Sequence, residues 1–329
     1  MRILFGIMSA VQPADTVASL VDALGPDHPV MVHHDWSQQP DFRLRRPNLT
    51  YVEQPERTGW ANWGFSRGIL KLVAEAVARE QFDYFQLLSP TCLPIRPMAD
   101  FAAHLAETRA DLYVDSIRLD SEPLVLMSHG WRAYAAEGSL RQRVLRRSRR
   151  WYLGHPPQME NRVGLSIPSS SLMNGTPWEA LKARTGLAIT RLAQKRIGFD
   201  HPFSQEFPCY VGSTWFTASQ RGCEYMLQKA SDATLTAYFA RMHMGDEIFF
   251  PTIFSNSGLT RACAPHYIAR FDNARPTWLQ IDDLDEVLSS KLFFARKFPV
   301  DPQSPVRLEL RRRLDWPRAS TGKPARESA

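Results

Sequence analysis

The sequence predicts an α/β protein whose sheet is covered by helices on both faces. Two observations carry that class. Apolar runs of strand length alternate with amphipathic helices through the first part of the chain, the pattern of βα units. A length of 329 residues, 44% hydrophobic and 22% charged, suits one large folded domain or two small ones and excludes a disordered chain.

Ile3 to Met8 reads as a buried strand, and Pro13 to Leu24 as the helix after it, with Val17, Leu20, Val21 and Leu24 at helical spacing. Pro29 to His34 is a second apolar strand, so the carboxylate of Asp35 stands at the carboxyl end of a strand. Leu49 to Val52 is a third short strand. Ser66 to Glu80 is an amphipathic helix through Ile69, Leu70, Val73, Ala76 and Val77, with Ser66 as its N-cap. Phe82 to Leu88 is a fourth strand and Leu112 to Val114 a fifth. Ligands of such a sheet bind beyond the carboxyl ends of its strands.

From about 120 to 205 the pattern loosens. This stretch holds an arginine run, Pro156-Pro157, Ser169-Ser170-Ser171 and a basic helix near Trp178 to Arg196. A long segment of this kind is more often a functional insertion or lid than part of the sheet. Regular structure returns at Tyr210 to Phe216 and in a helix through Cys223, Tyr225, Met226 and Leu227. A helix spans Asp282 to Ser290, and residues 311–329, charged and rich in Pro, Ser and Gly, read as a disordered tail.

The formal charge of +6 and pI near 9.2 favour an anionic partner: a nucleotide, a phosphorylated glycan, nucleic acid or a membrane surface. Much of the excess is local, in Arg141, Arg143, Arg146, Arg147, Arg149 and Arg150, and again in Arg311, Arg312, Arg313 and Arg318. Cys92, Cys209, Cys223 and Cys263 form no CxxC pair, which argues against a zinc ribbon or thioredoxin-type site and for reduced thiols. The N-terminal run has no signal-peptide organisation, and no stretch has the length of a membrane span. These features predict a cytoplasmic protein, held peripherally at the inner face of the membrane by the arginine run 141–150.

Neither a Walker A loop nor GxGxxG is present, against a P-loop or dinucleotide reading. Gly64-Phe65-Ser66-Arg67-Gly68 matches GxSxG, and a serine hydrolase with Ser66 as nucleophile is the alternative enzyme class. That elbow needs a strand before the serine, and Gln54 to Trp60 is polar and turn-like. Asp283-Leu284-Asp285 has the form of a metal-binding DxD, but it opens a helix, where capping explains it better. His243, four residues from Glu247, is weak support for a metal, so none is expected. The arginine run with Trp151-Tyr152 admits a third class, a non-catalytic basic protein at a membrane surface or on nucleic acid. It resembles no recognised nucleic-acid module, and nucleic acid is not expected.

Gly245-Asp246-Glu247 is the candidate chemical centre, because two adjacent carboxylates open the apolar run Ile248 to Phe254. Acidic residues in a first helical turn also serve capping alone.

Six segments, in order, resemble the core-2/I-branching β-1,6-N-acetylglucosaminyltransferase family, glycosyltransferase family 14, which includes peptide O-xylosyltransferases. Val32-His33-His34-Asp35 resembles its strand ending in His-x-Asp, and Trp63-Gly64-x-Ser66 its Trp-Gly-x-Ser. Tyr84 to Ser89 with Leu93-Pro94-Ile95-Arg96 resembles its Tyr-x-x-Leu-Leu-Ser-Gly-x-Asp-x-Pro-(Leu/Ile)-Lys, with Pro90 and Cys92 standing where the family has Gly and Asp. Gly212-Ser213-x-Trp215, Asp246-Glu247-x-Phe249-Phe250 and Leu292 to Phe298 resemble its Gly-Ser-x-Trp, Asp-Glu and Leu-Phe-Ala-Arg-Lys-Phe elements.

The resemblance implies a single GT-A type domain over residues 1–310, a Rossmann-like mixed sheet with a helical, acceptor-side insertion at about 120–205. It implies inverting, metal-independent transfer of GlcNAc or xylose from a UDP-sugar to a hydroxyl of a glycan or lipid-linked glycan, without a cofactor. By matched position Glu247 would be the general base and Asp35 a uridine ligand. Lys297, with Arg275 and the neighbouring Arg296, would face the diphosphate. Asp246, Trp215, Ser213 and Trp63 would be acceptor-contacting or positioning residues.

Overall fold

A computed structural model describes residues 1–153, 159–162, 164–168, 176–195, 200–268, 271–272 and 275–316. The chain opens with β1 (Ile3–Ser9), α1 (Ala14–Leu24), β2 (Val30–His34) and β3 (Leu49–Tyr51), followed by α2 (Trp63–Arg79) and β4 (Tyr84–Leu88). The short β5 (Leu93–Pro94), α3 (Met98–Thr108), β6 (Leu112–Tyr113) and β7 (Ser116–Arg118) lead to three helices, α4 (Pro123–Ala133), α5 (Leu140–Leu153) and α6 (Pro177–Gln194). A hairpin, β8 (Met159–Arg162) and β9 (Leu165–Pro168), separates α5 from α6. Next come β10 (Tyr210–Gly212), β11 (Thr217–Ser219), α7 (Gln220–Ala230), α8 (Ala233–Phe239) and α9 (Asp246–Ser255). The described chain finishes with β12 (Arg261–Ala262), β13 (His266–Ile268), β14 (Phe271–Asp272), β15 (Arg275–Pro276), α10 (Leu284–Ser289), β16 (Phe294–Arg296) and α11 (Pro305–Arg313).

The main sheet has the order β12-β6-β11-β4-β1-β2-β3. β1 pairs in parallel with β2 and with β4, while β11 runs antiparallel between β4 and β6. The chain therefore leaves β1 towards β2 and β3, then returns to the other side of β1 for β4. Such a reversal opens a crevice at the carboxyl ends of the two strands. Alternate residues of β1 serve two cores. Ile3, Phe5 and Ile7 pack with α1, α3, α10 and α11, and Leu4 and Met8 pack on the side of α2, α7 and α9. The mixed α/β sheet covered on both faces is thus the observed architecture.

Several boundaries differ from the sequence expectation. Helix α2 starts at Trp63 because Asn62 caps it, its Oδ1 accepting from the Gly64 N–H at 2.9 Å; Ser66 lies buried inside the helix and is not the cap. Tyr210 to Phe216 is not one strand. β10 pairs with β7 and β11 with β4 and β6, so residues 213–216 cross between two sheets. The departure from β10 requires Gly212, where a Cβ would stand 2.1 Å from the Asp115 carbonyl oxygen.

The loosely patterned segment contains a helical layer. The Tyr152 hydroxyl of α5 donates to the Met127 carbonyl of α4 at 2.9 Å, and Gly186 of α6 leaves room for the same ring. Pro156-Pro157, Ser169-Ser170-Ser171 and Arg196 lie outside the described residues. Asp282 to Ser290 divides into a 3-10 turn, Ile281–Asp283, and α10. Arg311 to Arg313 form the last turn of α11, and Leu314 and Trp316 pack against the core, so order continues past 310; residues 317–329 lie outside the description. All four cysteines are unpaired thiols. Among the described residues no helix is long and apolar enough to cross a membrane.

Gly6 sits mid-strand in β1, where a Cβ would stand 2.2 Å from the fully buried Phe85 ring and 3.0 Å from Leu72. Gly6→Ala is expected to lower stability by about 1–3 kcal/mol through overpacking. Thermal denaturation of the variant measures it, and an unchanged midpoint would refute the packing described.

Candidate active site

The crevice beside β1 and β4 is a cavity of about 700 Å³, a volume suited to a ligand of nucleotide size. Ser9 and Ala10 line it from the end of β1, and Ser89, Pro90 and Thr91 from the end of β4. Asp246 and Glu247 enter its wall from the first turn of α9. Gly245 precedes them because the chain passes close to α8: a Cβ there would stand 3.0 Å from the Phe239 carbonyl oxygen. Behind that turn, Ile248, Phe249, Phe250, Ile253 and Phe254 are all buried, which fixes the helix end rigidly in the core.

The two carboxylates have different surroundings. Asp246 accepts from the Thr214 hydroxyl at 2.7 Å. Burial and the adjacent Glu247 push the Asp246 carboxyl up to about 6, against the lowering pull of the Thr214 hydrogen bond and the Arg132 charge. Glu247 Oε2 accepts from Arg132 Nη1 at 2.6 Å, with the Arg132 side chain 4% exposed and that of Glu247 23% exposed. Among the described residues the Arg132 bond to Oε2 is the one side-chain hydrogen bond of Glu247, and Oε1 has none. Arg132 Nη2 is 2.7 Å from His129 Nδ1. Burial and the Arg132 charge hold His129 far below its ordinary pKa, so the ring is neutral and Nδ1 accepts.

Opposite charge also reaches this cavity. Arg296 and Lys297 line it from the end of β16. The Arg296 guanidinium lies 4.7 Å from the Trp215 ring centroid, and its buried Nε has no hydrogen-bond partner. Lys297 Nζ is 5.7 Å from the Trp278 ring. Ser213 is on the wall as well, its Oγ accepting from the Trp215 N–H at 3.3 Å.

Asp35 stands at the end of β2, held by its neighbours. Oδ1 accepts from the Ser37 N–H and hydroxyl at 3.0 and 2.6 Å. Oδ2 accepts from Gln38 Nε2 at 2.7 Å and from the Thr58 N–H and hydroxyl at 2.6 and 2.9 Å. Burial alone would raise the Asp35 carboxyl; these donors override it and hold it well below the usual carboxylate range. Through these bonds Asp35 holds Gln38 and Thr58, which themselves line the cavity.

Trp63 packs edge-on against Phe249 at 5.1 Å beneath the start of α9. Arg275 lies in β15 opposite Asp272, and its side chain is outside the described residues. Ser66, fully buried in α2 with no partner for its Oγ, lacks the exposed strand-to-helix turn of a hydrolase nucleophile. The Asp283 carboxylate accepts from the Gln280 N–H and Asp285 pairs with Arg313, so that motif caps and braces. His243 bonds Glu137 at 2.8 Å, and no metal-competent cluster of His, Cys, Asp and Glu occurs among the described residues.

Sequence reasoning missed Arg132, Gln38, Thr58, Trp60 and Trp278. Arg132 carried no signal beyond being a basic residue in a segment full of them.

No protein-family model matches the chain, and no curated protein matches it. Among solved structures it is similar to the apo form of mouse xyloside xylosyltransferase 1, at 10% identity and a TM-score of 0.30, over 81% of this chain and 88% of the other.

The raised Asp246 carboxyl has a sign for stability. The folded state holds its proton up to about pH 6, whereas an unfolded aspartate releases it near pH 4. Asp246 therefore costs no stability below about pH 4, and its cost grows as pH rises through 6. Asp246→Asn should gain stability over the native chain by about 1–2 kcal/mol above pH 7, and by nothing near pH 4. Melting temperatures of both proteins across that range decide; a difference independent of pH contradicts the shift.

Proposed function

We propose that the cavity is the active site of an inverting glycosyltransferase of GT-A type. It moves GlcNAc or xylose from a UDP-sugar to a hydroxyl of a glycan or lipid-linked glycan. One observation supports this most: a carboxylate with one oxygen unpartnered, Glu247, lines the same cavity as the Arg296 guanidinium and Lys297, at the strand ends where α/β sheets bind nucleotides.

In the reaction Glu247 Oε1 takes the proton of the acceptor hydroxyl as its oxygen attacks C1 of the sugar. The bond from C1 to the phosphate oxygen breaks, its electron pair stays on that oxygen, and UDP leaves. Arg296 and Lys297 meet the charge that develops there, the guanidinium as a planar fork and the ammonium as a point charge. Arg275 is assigned to the same diphosphate from the sequence resemblance alone. With fixed cations in this place, the reaction proceeds without a divalent metal or other cofactor. Asp35 acts on the nucleotide through Gln38: the Nε2 group donates one hydrogen to Asp35 and the other to Thr58, leaving Oε1 as an acceptor for the uracil N–H. Trp60 and Trp278 line the cavity while remaining 79% and 46% exposed, and supply flat apolar surface for a sugar ring.

Glu247→Gln is expected to lower turnover by about 10²–10⁴-fold while changing UDP affinity little, measured by UDP-release assay and by UDP-induced thermal shift. Normal turnover in that variant would overturn the assignment of the base. Turnover should also persist in EDTA; complete loss restored by manganese would overturn the role given to Arg296 and Lys297.

A further inference from the structure

Exposed large apolar side chains gather where the positive charge is greatest. Of thirteen such side chains among the described residues, six lie on α5 and α6: Leu140, Val144, Trp151, Trp178, Leu181 and Leu192. The same two helices carry six arginines without an acid on α5, and Lys182, Arg184 and Arg191 against Glu179 on α6. That surplus of eight exceeds the +6 of the entire chain.

The arrangement on each helix is ordered. Leu140, Val144, Arg147 and Trp151 follow at spacings of four, three and four, so they form one outer row, with Arg143 and Arg150 exposed beside it. On α6, Leu181, Ala188 and Leu192 form an outer row with Arg184 and Arg191 beside it. The inner faces are already satisfied. Leu145, Tyr152 and Leu153 of α5 and Ala183, Gly186 and Thr190 of α6 are buried in the layer they form with α4. Each helix is therefore amphipathic a second time, on the side turned away from the protein.

An apolar row edged by arginines, with a tryptophan near its end, has the composition of a helix lying in the headgroup region of a bilayer. Anionic lipid phosphates answer the charge, and the acyl boundary answers the leucines. A nucleic acid would engage the arginines but leave Leu140, Val144, Leu181 and Leu192 in water. We propose that the outer face of α5 and α6 docks on an anionic phospholipid surface, lying on the bilayer without spanning it. This docking does not rest on the transferase reading.

The full chain is sedimented with phosphatidylcholine vesicles, with and without phosphatidylglycerol, and titrated in parallel with a single-stranded oligonucleotide. Binding is expected to anionic vesicles, not to neutral ones, and to weaken with salt. The combined variant Leu140→Ser, Val144→Ser, Trp151→Ser alters solvent-facing side chains and should reduce vesicle binding by about tenfold while leaving oligonucleotide binding unchanged. Arg143→Ser, Arg147→Ser, Arg150→Ser should reduce vesicle binding by roughly a hundredfold. If the first variant melts early, Leu181→Ser with Leu192→Ser on α6 gives the same readout. Failure to sediment with anionic vesicles, or undiminished vesicle binding by the serine variants, overturns the proposal. An oligonucleotide bound more tightly than the vesicles would do so too, and would make the face a nucleic-acid surface.

Discussion

A guanidinium taken out of water must meet an acid, and the position of Arg132 makes this the constraint on which the site depends. Leaving such a charge buried and unpaired costs several kcal/mol, so α4 can hold Arg132 at 4% exposure because Glu247 faces it. The pair ties a helix from the loosely patterned segment to the first turn of α9. It also makes two neighbouring carboxylates tolerable. The Glu247 charge raises the proton affinity of Asp246, and the Arg132 guanidinium offsets part of that effect. The arginine engages one oxygen of Glu247, a residue that also lines the cavity.

The cavity's two signs of charge come from different layers of the fold. The acids belong to α9, whose apolar body is anchored under the main sheet. The cations come from β16, which is outside that sheet and pairs antiparallel with β5. Because β5 follows β4 after a short turn through Ser89 and Thr91, the strand end that opens the crevice also fixes the strand that carries Arg296. A third side is set by Asp35, whose carboxylate gathers Thr58 across 23 residues of chain. No one of these regions is adjacent in sequence to another, so the sheet's reversal at β1 is what brings them together.

The sheet itself was legible, because β1, β2 and β4 are buried on both faces and read as largely apolar runs, broken only by residues such as Gly6, His33, His34 and Gln86. The placement of Asp35 followed from the end of such a run. Its surroundings did not, since its donors come from two loops with no periodic pattern, Ser37 and Gln38 after β2 and Thr58 before α2. Asn62 and Ser66 are both good caps, and nothing in the local sequence ranks one above the other. Trp60 and Trp63 stand three residues apart, one on the cavity rim and one packed on Phe249, a division decided by the chain's course before α2. Arg132 was the hardest to read: its importance lies wholly in a contact 115 residues away.

Composition suggested an anionic partner, and the structure divides that inference in two. Among the described residues Arg296 and Lys297 are the cations on the cavity wall, a minor share of the chain's basic residues. The surplus on α5 and α6 accounts for all of the net charge, and without it the remainder is slightly acidic. A basic pI here is therefore a property of one helical layer and carries no information about the cavity. That layer has chemistry on both sides. Its inner helix carries Arg132 to Glu247, and its outer helices present leucines, tryptophans and arginines to solvent. A surface contact made by the outer helices would bear on the same packed layer that holds Glu247 in place.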